Sequence, residues 1–128
     1  MVYLSPLYPV QRAVKKIAII DDEELVRNML IRLLEREGYE VLPYDDAAPA
    51  LQECDFDAAD LILTDLAMPT KGEILIQALN DRGVETPIVV LSGNLEGKAK
   101  ELEEMGVRKI VQKPFARKEL MEVIERLA

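Results

Sequence analysis

Five polar side chains stand where short apolar runs of the sequence end, and together they could bind a cation and an anion. Asp21 and Asp22 follow one such run, and Asp65 follows another. Ser92 closes a third run, and Lys113 comes directly after a fourth. Carboxylates held close together repel one another unless a cation lies among them, and oxygen ligands without Cys or His select a hard ion such as Mg²⁺. The hydroxyl and ammonium groups could then hold an anion beside the metal, which suits phosphoryl transfer.

Each of these residues also has an ordinary explanation when it is taken alone. An aspartate before a helix, such as Asp21 or Asp22, is often its N-cap. Asp65 and Ser92 could be turn residues, and a lysine such as Lys113 is usually an exposed charge. These explanations become harder to sustain if the preceding strands are neighbours in one parallel sheet, because their ends would then converge.

The elements that must position these side chains alternate from Lys16 onward between apolar runs and amphipathic stretches. The predicted strands are residues 17–20, 41–44, 61–64, 88–91 and 109–112. The predicted helices follow them: one ending at Gly38, one capped by Asp45 or Asp46 and running to about Glu53, one over 72–81, one before Gly106 that includes Leu95, and one around 120–127. Strands that are apolar at every position need cover on both faces, which is typical of a doubly wound parallel α/β sheet. Ligands of such folds bind at the carboxyl ends of the strands.

The composition limits the classes of protein that this chain can belong to. Its 128 residues suit one domain, and 49% hydrophobic with 31% charged residues indicates a globular protein. The net charge of −8 argues against non-specific binding of nucleic acid. The absence of histidine excludes Ser-His-Asp and Cys-His catalysis, histidine metal ligands and a phosphohistidine in this chain. The single cysteine, Cys54, and the lack of a membrane-spanning apolar run favour a cytoplasmic location.

Residues 1–15 differ from the rest of the chain and are predicted to be an N-terminal extension, with one domain over 16–128. The segment contains Pro6 and Pro9 and shows no clean hydrophobic period. Two interpretations stay open: a frayed arm or linker remnant, and an apolar arm that docks on a groove or on a second subunit.

Four segments resemble the receiver domain of bacterial two-component response regulators, of the chemotaxis-regulator type. They are IIDDE at 19–23, LILTDLAMP at 61–69, IVVLSGN at 88–94 and VQKPF at 111–115. All four occur in order, each at the end of a predicted strand, and the resemblance covers residues 16–128. It implies a flavodoxin-like, five-stranded sheet of order 2-1-3-4-5. That order makes the second strand an edge, as Pro43 independently indicates, because proline lacks the N–H donor that a central strand needs.

The resemblance also implies a role for each matching residue. Asp65 corresponds to the aspartate that accepts the phosphoryl group, and it also belongs to the Mg²⁺ site. Asp22 corresponds to a direct Mg²⁺ ligand, Asp21 to an acidic neighbour that acts through water, and Ala67 to the residue whose backbone carbonyl is a further ligand.

The anion-binding residues and the partners follow from the same resemblance. Ser92 corresponds to the hydroxyl that hydrogen-bonds a phosphoryl oxygen, Lys113 to the lysine that pairs with it, and Pro114 to a proline after a cis peptide bond. The donor would be a sensor histidine kinase or a histidine phosphotransfer protein. Phosphorylation would then switch binding of a downstream protein on the face of helix 4, strand 5 and helix 5. We expect a signalling domain and not an enzyme, without direct nucleic-acid or membrane binding, and dimerisation stays open.

The sequence departs from the family pattern at two places. Only Thr70 and Lys71 separate Pro69 from Gly72, where the family usually has three residues, so the loop after the third strand should be tighter. Ile110 stands where many members carry Tyr or Phe, whose rotation reports phosphorylation.

We expect either a stand-alone regulator or the receiver of a larger protein.

Three other functions compete with this interpretation. A flavin-binding carrier of the same fold needs a phosphate-holding loop after the first strand, but DDEE at 21–24 would repel phosphate. An aspartate-nucleophile phosphatase needs an acid two residues after Asp65, where this chain has Ala67. A phosphorylation-independent, receiver-like adaptor stays open because of Ile110.

Overall fold

The computed structural model describes residues 14–95 and 97–128 as alternating strands and helices. The elements are β1 Lys16–Ile20, α1 Glu24–Arg36, β2 Glu40–Tyr44, α2 Ala47–Glu53, β3 Leu61–Thr64, α3 Gly72–Asp81, β4 Ile88–Ser92, α4 Ala99–Glu104, β5 Lys109–Gln112 and α5 Arg117–Leu127. A short 3₁₀ helix, Phe56–Ala58, was not predicted from the sequence. Most of the predicted N-terminal extension, residues 1–13, lies outside the described residues, so the proposed domain boundary stays a prediction.

The five strands form one parallel sheet of order β2-β1-β3-β4-β5, which confirms the predicted fold class. All residues of β3 and β4 are buried, as expected for strands covered on both faces. Pro43 lies in β2 opposite Ile19 of β1. Because β2 is an edge strand with a single neighbour, the missing N–H of Pro43 is tolerated there.

Two apolar cores lie on opposite faces of the sheet, and successive strand residues contribute to each in turn. On β3, Ile62 joins the core that includes buried residues of α2, α3 and α4. Its neighbours Leu61 and Leu63 join the core that α1 and α5 cover. Because successive side chains point to opposite faces of a strand, its apolar residues enter the two cores in turn. The polar site residues stand where the strands end.

The fourth helix is shorter than the apolar spacing predicts. It begins at Ala99, and Leu95 lies before it in the loop, half-buried against the core. Gly97 has a φ of 75°, a left-handed conformation that a continuous α-helix cannot include. Leu95 and Leu102 therefore pack against the same core, although no continuous helix joins them.

The carboxylate of Asp46 accepts a hydrogen bond from the loop after β3. Asp46, one of the two predicted caps, occupies the N-cap position of α2 without a side-chain capping hydrogen bond, and its Oδ1 accepts a hydrogen bond of 2.8 Å from the backbone N–H of Thr70. Burial alone would raise the pKa of Asp46, but the hydrogen bonds from Thr70 outweigh it and hold the pKa below the ordinary value of 3.8. The loop that is one residue shorter than the family pattern is thus tied to the neighbouring β2–α2 connection.

Asp46→Ala should destabilise the fold by about 1 kcal/mol at neutral pH, because it leaves the Thr70 N–H without its charged acceptor. A carboxylate with a lowered folded pKa stabilises the protein at pH values above its unfolded pKa, and this contribution is lost as pH falls through the folded pKa. Urea unfolding should therefore show a constant deficit from about pH 7 to pH 5 that shrinks below the ordinary pKa. Asp45→Ala, at an exposed neighbour, is the control. Equal losses of stability in Asp46→Ala and Asp45→Ala would show that the hydrogen bond between Asp46 and Thr70 does not stabilise the fold.

Candidate functional site

The strand ends bring the predicted metal- and anion-binding residues, apart from Asp21, to the lining of one open cleft of about 680 Å³. Backbone hydrogen bonds continue one residue beyond the strands. The N–H of Asp65 donates to the carbonyl of Ile20 at 2.9 Å, and the N–H of Lys113 donates to that of Ser92 at 2.8 Å. Ser92, Asp65 and Lys113 are thereby held at fixed positions on neighbouring strands, and all three line the cleft.

Three carboxylates converge at this edge of the sheet. Asp21, Asp22 and Asp65 each offer one oxygen, and these oxygens lie within 4.8 Å of one another. Asp21 and Asp65 are buried, with 1% and 4% of their surface exposed, whereas Asp22 is exposed. An all-oxygen set with one side open to water fits a hard divalent cation that keeps several water ligands, such as Mg²⁺.

Lys113 donates to three carboxylates at once. Its Nζ lies 2.9 Å from Asp21 Oδ2, 3.0 Å from Glu23 Oε1 and 3.1 Å from Asp65 Oδ2. An ammonium group has three N–H donors, so one is available for each carboxylate. Burial alone would lower the pKa of Lys113, but the hydrogen bonds to Asp21 and Glu23 outweigh it and raise the pKa. Lys113 therefore remains charged at every physiological pH.

More carboxylates than ammonium groups lie around Lys113. Those of Asp21, Glu23 and Asp65 contact its Nζ, and an oxygen of Asp22 lies within 4.8 Å of oxygens of Asp21 and Asp65. Burial, together with the charge of Asp65, raises the pKa of Asp21 above 3.8, although hydrogen bonds from Lys113 and from the Glu23 backbone partly oppose this. A second cation among these groups would relieve their repulsion.

The Asp65 carboxylate is oriented by its own loop. Its Oδ1 accepts hydrogen bonds from the backbone N–H of Leu66 at 2.7 Å and of Ala67 at 3.4 Å, while Oδ2 faces Lys113. Ala67 lines the cleft, as its predicted metal-binding carbonyl requires. Gly72 packs against the same loop, since a Cβ there would clash with the Asp65 carbonyl oxygen and lie 2.9 Å from Leu66 Cα.

The hydroxyl of Ser92 points to its own loop. Ser92 Oγ lies 3.2 Å from the carbonyl oxygen of Asn94, to which it donates, and accepts the N–H of Asn94 at 3.4 Å. Among the described residues, its hydrogen bonds therefore go to Asn94 and not to Asp65. To hold an anion on Asp65, the hydroxyl must give up the Asn94 carbonyl.

Sequence reasoning missed two acidic residues of the cleft. Glu23 was part of a motif but had no role, and it contacts Lys113 directly. Glu73 forms an ion pair of 2.8 Å with Lys98 across the mouth of the cleft. The closeness of Glu23 to Asp21 in sequence could have suggested the first contact. The second joins residues 25 positions apart and depends on the tertiary fold.

The remaining residues of the motifs behave as structural residues. Met68 is buried in one core and Phe115 is half-buried against the other. The peptide bond between Lys113 and Pro114 is cis, as the resemblance implied. Burial raises the pKa of the Cys54 thiol, with a smaller contribution from Asp55, as expected for a thiol that is not activated.

Comparison with known proteins decides the family. Residues 17–125 match the family model of the response regulator receiver domain. The chain belongs to this family. Receiver domains accept the phosphoryl group in two-component signalling. This agrees with the phosphoryl transfer for which the carboxylates, hydroxyl and ammonium of the cleft are suited.

The relatives of this receiver domain are regulators of bacterial signalling. The chain is 33% identical over 108 residues to the alkaline phosphatase synthesis transcriptional regulatory protein PhoP of Bacillus subtilis, matching 83% of this chain and 45% of the relative. It is 34% identical over 112 residues to the transcriptional regulatory protein CpxR of Escherichia coli K12, matching 83% and 46%. The chain thus spans about half the length of the curated relatives it matches.

Solved receiver structures superpose closely on this one. The chemotaxis response regulator CheY4 of Vibrio cholerae gives a TM-score of 0.82 at 27% identity, covering 91% of this chain and all of the other. The response regulator TrrA of Thermotoga maritima, solved in complex with Mg²⁺ and BeF, gives 0.80 at 26% identity, covering 90% of this chain and all of the other. Among the described residues, no helix is long and apolar enough to cross a membrane.

Proposed function

We propose that Asp65 is the residue of this receiver domain that accepts the phosphoryl group. The observation that carries the proposal is its position. Asp65 ends the central strand, is oriented by two backbone N–H groups, and lies beside both the carboxylate cluster and the Lys113 ammonium. These 128 residues contain no histidine, so a phosphohistidine donor lies outside them, and we propose a sensor histidine kinase or a histidine phosphotransfer protein.

In this proposal the transfer is a displacement at phosphorus. The N–P bond of the donor phosphohistidine breaks, the imidazole leaves with its electron pair, and an Asp65 carboxylate oxygen forms the new bond to phosphorus. Lys113 and the Ser92 hydroxyl hold the phosphoryl oxygens. Asp21, Asp22, Asp65 and the Ala67 carbonyl would hold Mg²⁺. The metal would neutralise charge on the transferring group. The domain acts on its own carboxylate, so it assists its phosphorylation and dephosphorylation without turning over a separate substrate.

Intact-mass measurement after incubation with acetyl phosphate tests this assignment. The wild-type chain should gain the mass of one phosphoryl group in Mg²⁺ and almost none in EDTA, because unscreened carboxylates repel the incoming dianion. Asp65→Asn should gain none, whereas Asp57→Asn, at an exposed surface carboxylate, should behave as the wild type. Full labelling of Asp65→Asn, or of the wild type in EDTA, would refute the assignment.

A groove beside the cleft suits the phosphodonor. It has a volume of about 550 Å³ and is lined by Leu25, Asn28, Met29, Arg32, Leu33, Arg36, Phe115 and Arg117. Leu25 is 87% exposed and stands two residues after Glu23, which lines the cleft. Its arginines form a basic rim on a chain of net charge −8. A donor helix with apolar and acidic side chains beside its phosphohistidine would match both features.

Leu25→Asp should therefore slow transfer from a phosphorylated histidine phosphotransfer domain by about tenfold or more, the effect of losing a central apolar contact. Labelling by acetyl phosphate, which needs no docking, should be unchanged. Ile74→Asp, which changes an apolar residue of α3 that is 53% exposed, is the control and should leave both rates unaltered. Equal rates of protein-to-protein transfer for Leu25→Asp and the wild type would exclude this groove.

The output surface is proposed on the face of α4, β5 and α5. Ile110 of β5 is half-buried against the core, and its branched Cβ restricts rotation about χ1. Rearrangement on phosphorylation should therefore concentrate in the loops after β3 and β4. The net charge of −8 argues against direct nucleic-acid binding by these 128 residues, and the single cysteine is compatible with the cytoplasm.

A further inference from the structure

The Glu23 carboxylate differs from the other two partners of Lys113 in its exposure. The side chain of Glu23 is 58% exposed, whereas those of Asp21 and Asp65 are 1% and 6% exposed. All three lie at nearly the same distance from Nζ, between 2.9 and 3.1 Å. The ammonium therefore gives its third donor to a carboxylate that water could equally well solvate.

An anion arriving on Asp65 needs a donor from Lys113, and one existing partner must yield it. Asp21 is buried, so losing the ammonium would leave its charge without water or a counter-ion. Glu23 can turn into solvent at little cost. The backbone N–H of Glu23 donates to Asp21 Oδ1 at 2.9 Å, and this bond survives when the side chain moves. Displacement of Glu23 is thus less costly than displacement of Asp21.

We propose that Glu23 is a built-in competitor of the phosphoryl group for Lys113. This inference rests on the proposed function of Asp65. Glu23 is a positioning residue. In the unphosphorylated state it holds the ammonium between the carboxylates, and it is released when the phosphoryl group takes its place. It lowers affinity for the anion in two ways, by occupying the donor and by repelling like charge.

Beryllofluoride, a phosphoryl mimic, provides the test at saturating Mg²⁺. Glu23→Gln should bind it about two- to fivefold more tightly than the wild type, the range expected for loss of one partly exposed ion pair. Glu24→Gln removes the same charge from the adjacent, exposed first residue of α1 and should change the affinity little. Affinities come from amide chemical-shift titrations of the full chain.

A second readout separates release of Glu23 from a merely structural role. In the wild type, the side-chain carboxyl ¹³C signal of Glu23 should move on beryllofluoride binding toward the position of a solvated carboxylate, while that of Glu24 stays in place. Binding by Glu23→Gln that is equal to or weaker than that of the wild type would overturn the inference, as would an unmoved Glu23 signal. A wild-type chain that neither binds beryllofluoride nor becomes phosphorylated would instead overturn the proposed function, and this inference with it.

Discussion

Lys113→Met should destabilise the domain by about 2–3 kcal/mol in EDTA, because it removes the shared counter-ion of three carboxylates, two of them buried. The value lies below that of a fully buried pair because Glu23 can turn to water. Mg²⁺ should restore part of the loss, and it should stabilise the variant more than the wild type, since the variant lacks the ammonium group that contacts the carboxylates of Asp21 and Asp65.

Urea unfolding with and without Mg²⁺ measures both effects. Lys109→Met, at an exposed position of β5, changes the same net charge without touching the carboxylates and should shift stability by less than about 0.5 kcal/mol. Two lysine variants of equal stability in EDTA would show that the Lys113 ammonium does not stabilise the carboxylate cluster.

Gly72→Ala should destabilise the domain by about 3 kcal/mol, because the new Cβ meets the backbone of the loop that carries Asp65. Alanine favours helix more than glycine does by about 1 kcal/mol, but Gly72 is the first residue of α3 and the clash is with backbone atoms that cannot rotate away. Relief requires movement of Asp65 itself, so phosphorylation by acetyl phosphate should also slow.

Gly93→Ala is the matched control for this prediction. It lies beside Ser92 at the same edge of the sheet, and a Cβ there would meet nothing within 4 Å. Thermal unfolding should show a large loss for Gly72→Ala and almost none for Gly93→Ala. Similar melting temperatures for the two variants would mean that the shortened loop has room to adjust.

The sheet and most of the cleft could be predicted from the sequence because each strand is a short apolar run and a polar residue stands where it ends. Asp65 and Lys113 stand directly after apolar runs, and a parallel sheet places such residues together whatever the details of the loops. The predicted start of α4 was wrong. The spacing of Leu95 reflects its burial against the core, whereas the left-handed conformation of Gly97 sets where the helix can begin.

Contacts between loops could not be predicted in this way. The hydrogen bond from Thr70 to Asp46 and the ion pair of Glu73 with Lys98 join segments that no sequence period relates. The orientation of the Ser92 hydroxyl toward Asn94 likewise depends on the local turn. These contacts arise only once the sheet has brought the loops side by side.

The central claim is that the phosphoryl group resides on Asp65, and chemical mapping of the modified residue tests it most directly. Borohydride reduces an aspartyl phosphate to homoserine, so the chain is phosphorylated with acetyl phosphate in Mg²⁺, reduced, digested and sequenced by mass spectrometry. We expect homoserine at position 65 and unmodified aspartate at positions 21 and 22. Homoserine at either of those positions, with Asp65 intact, would contradict it.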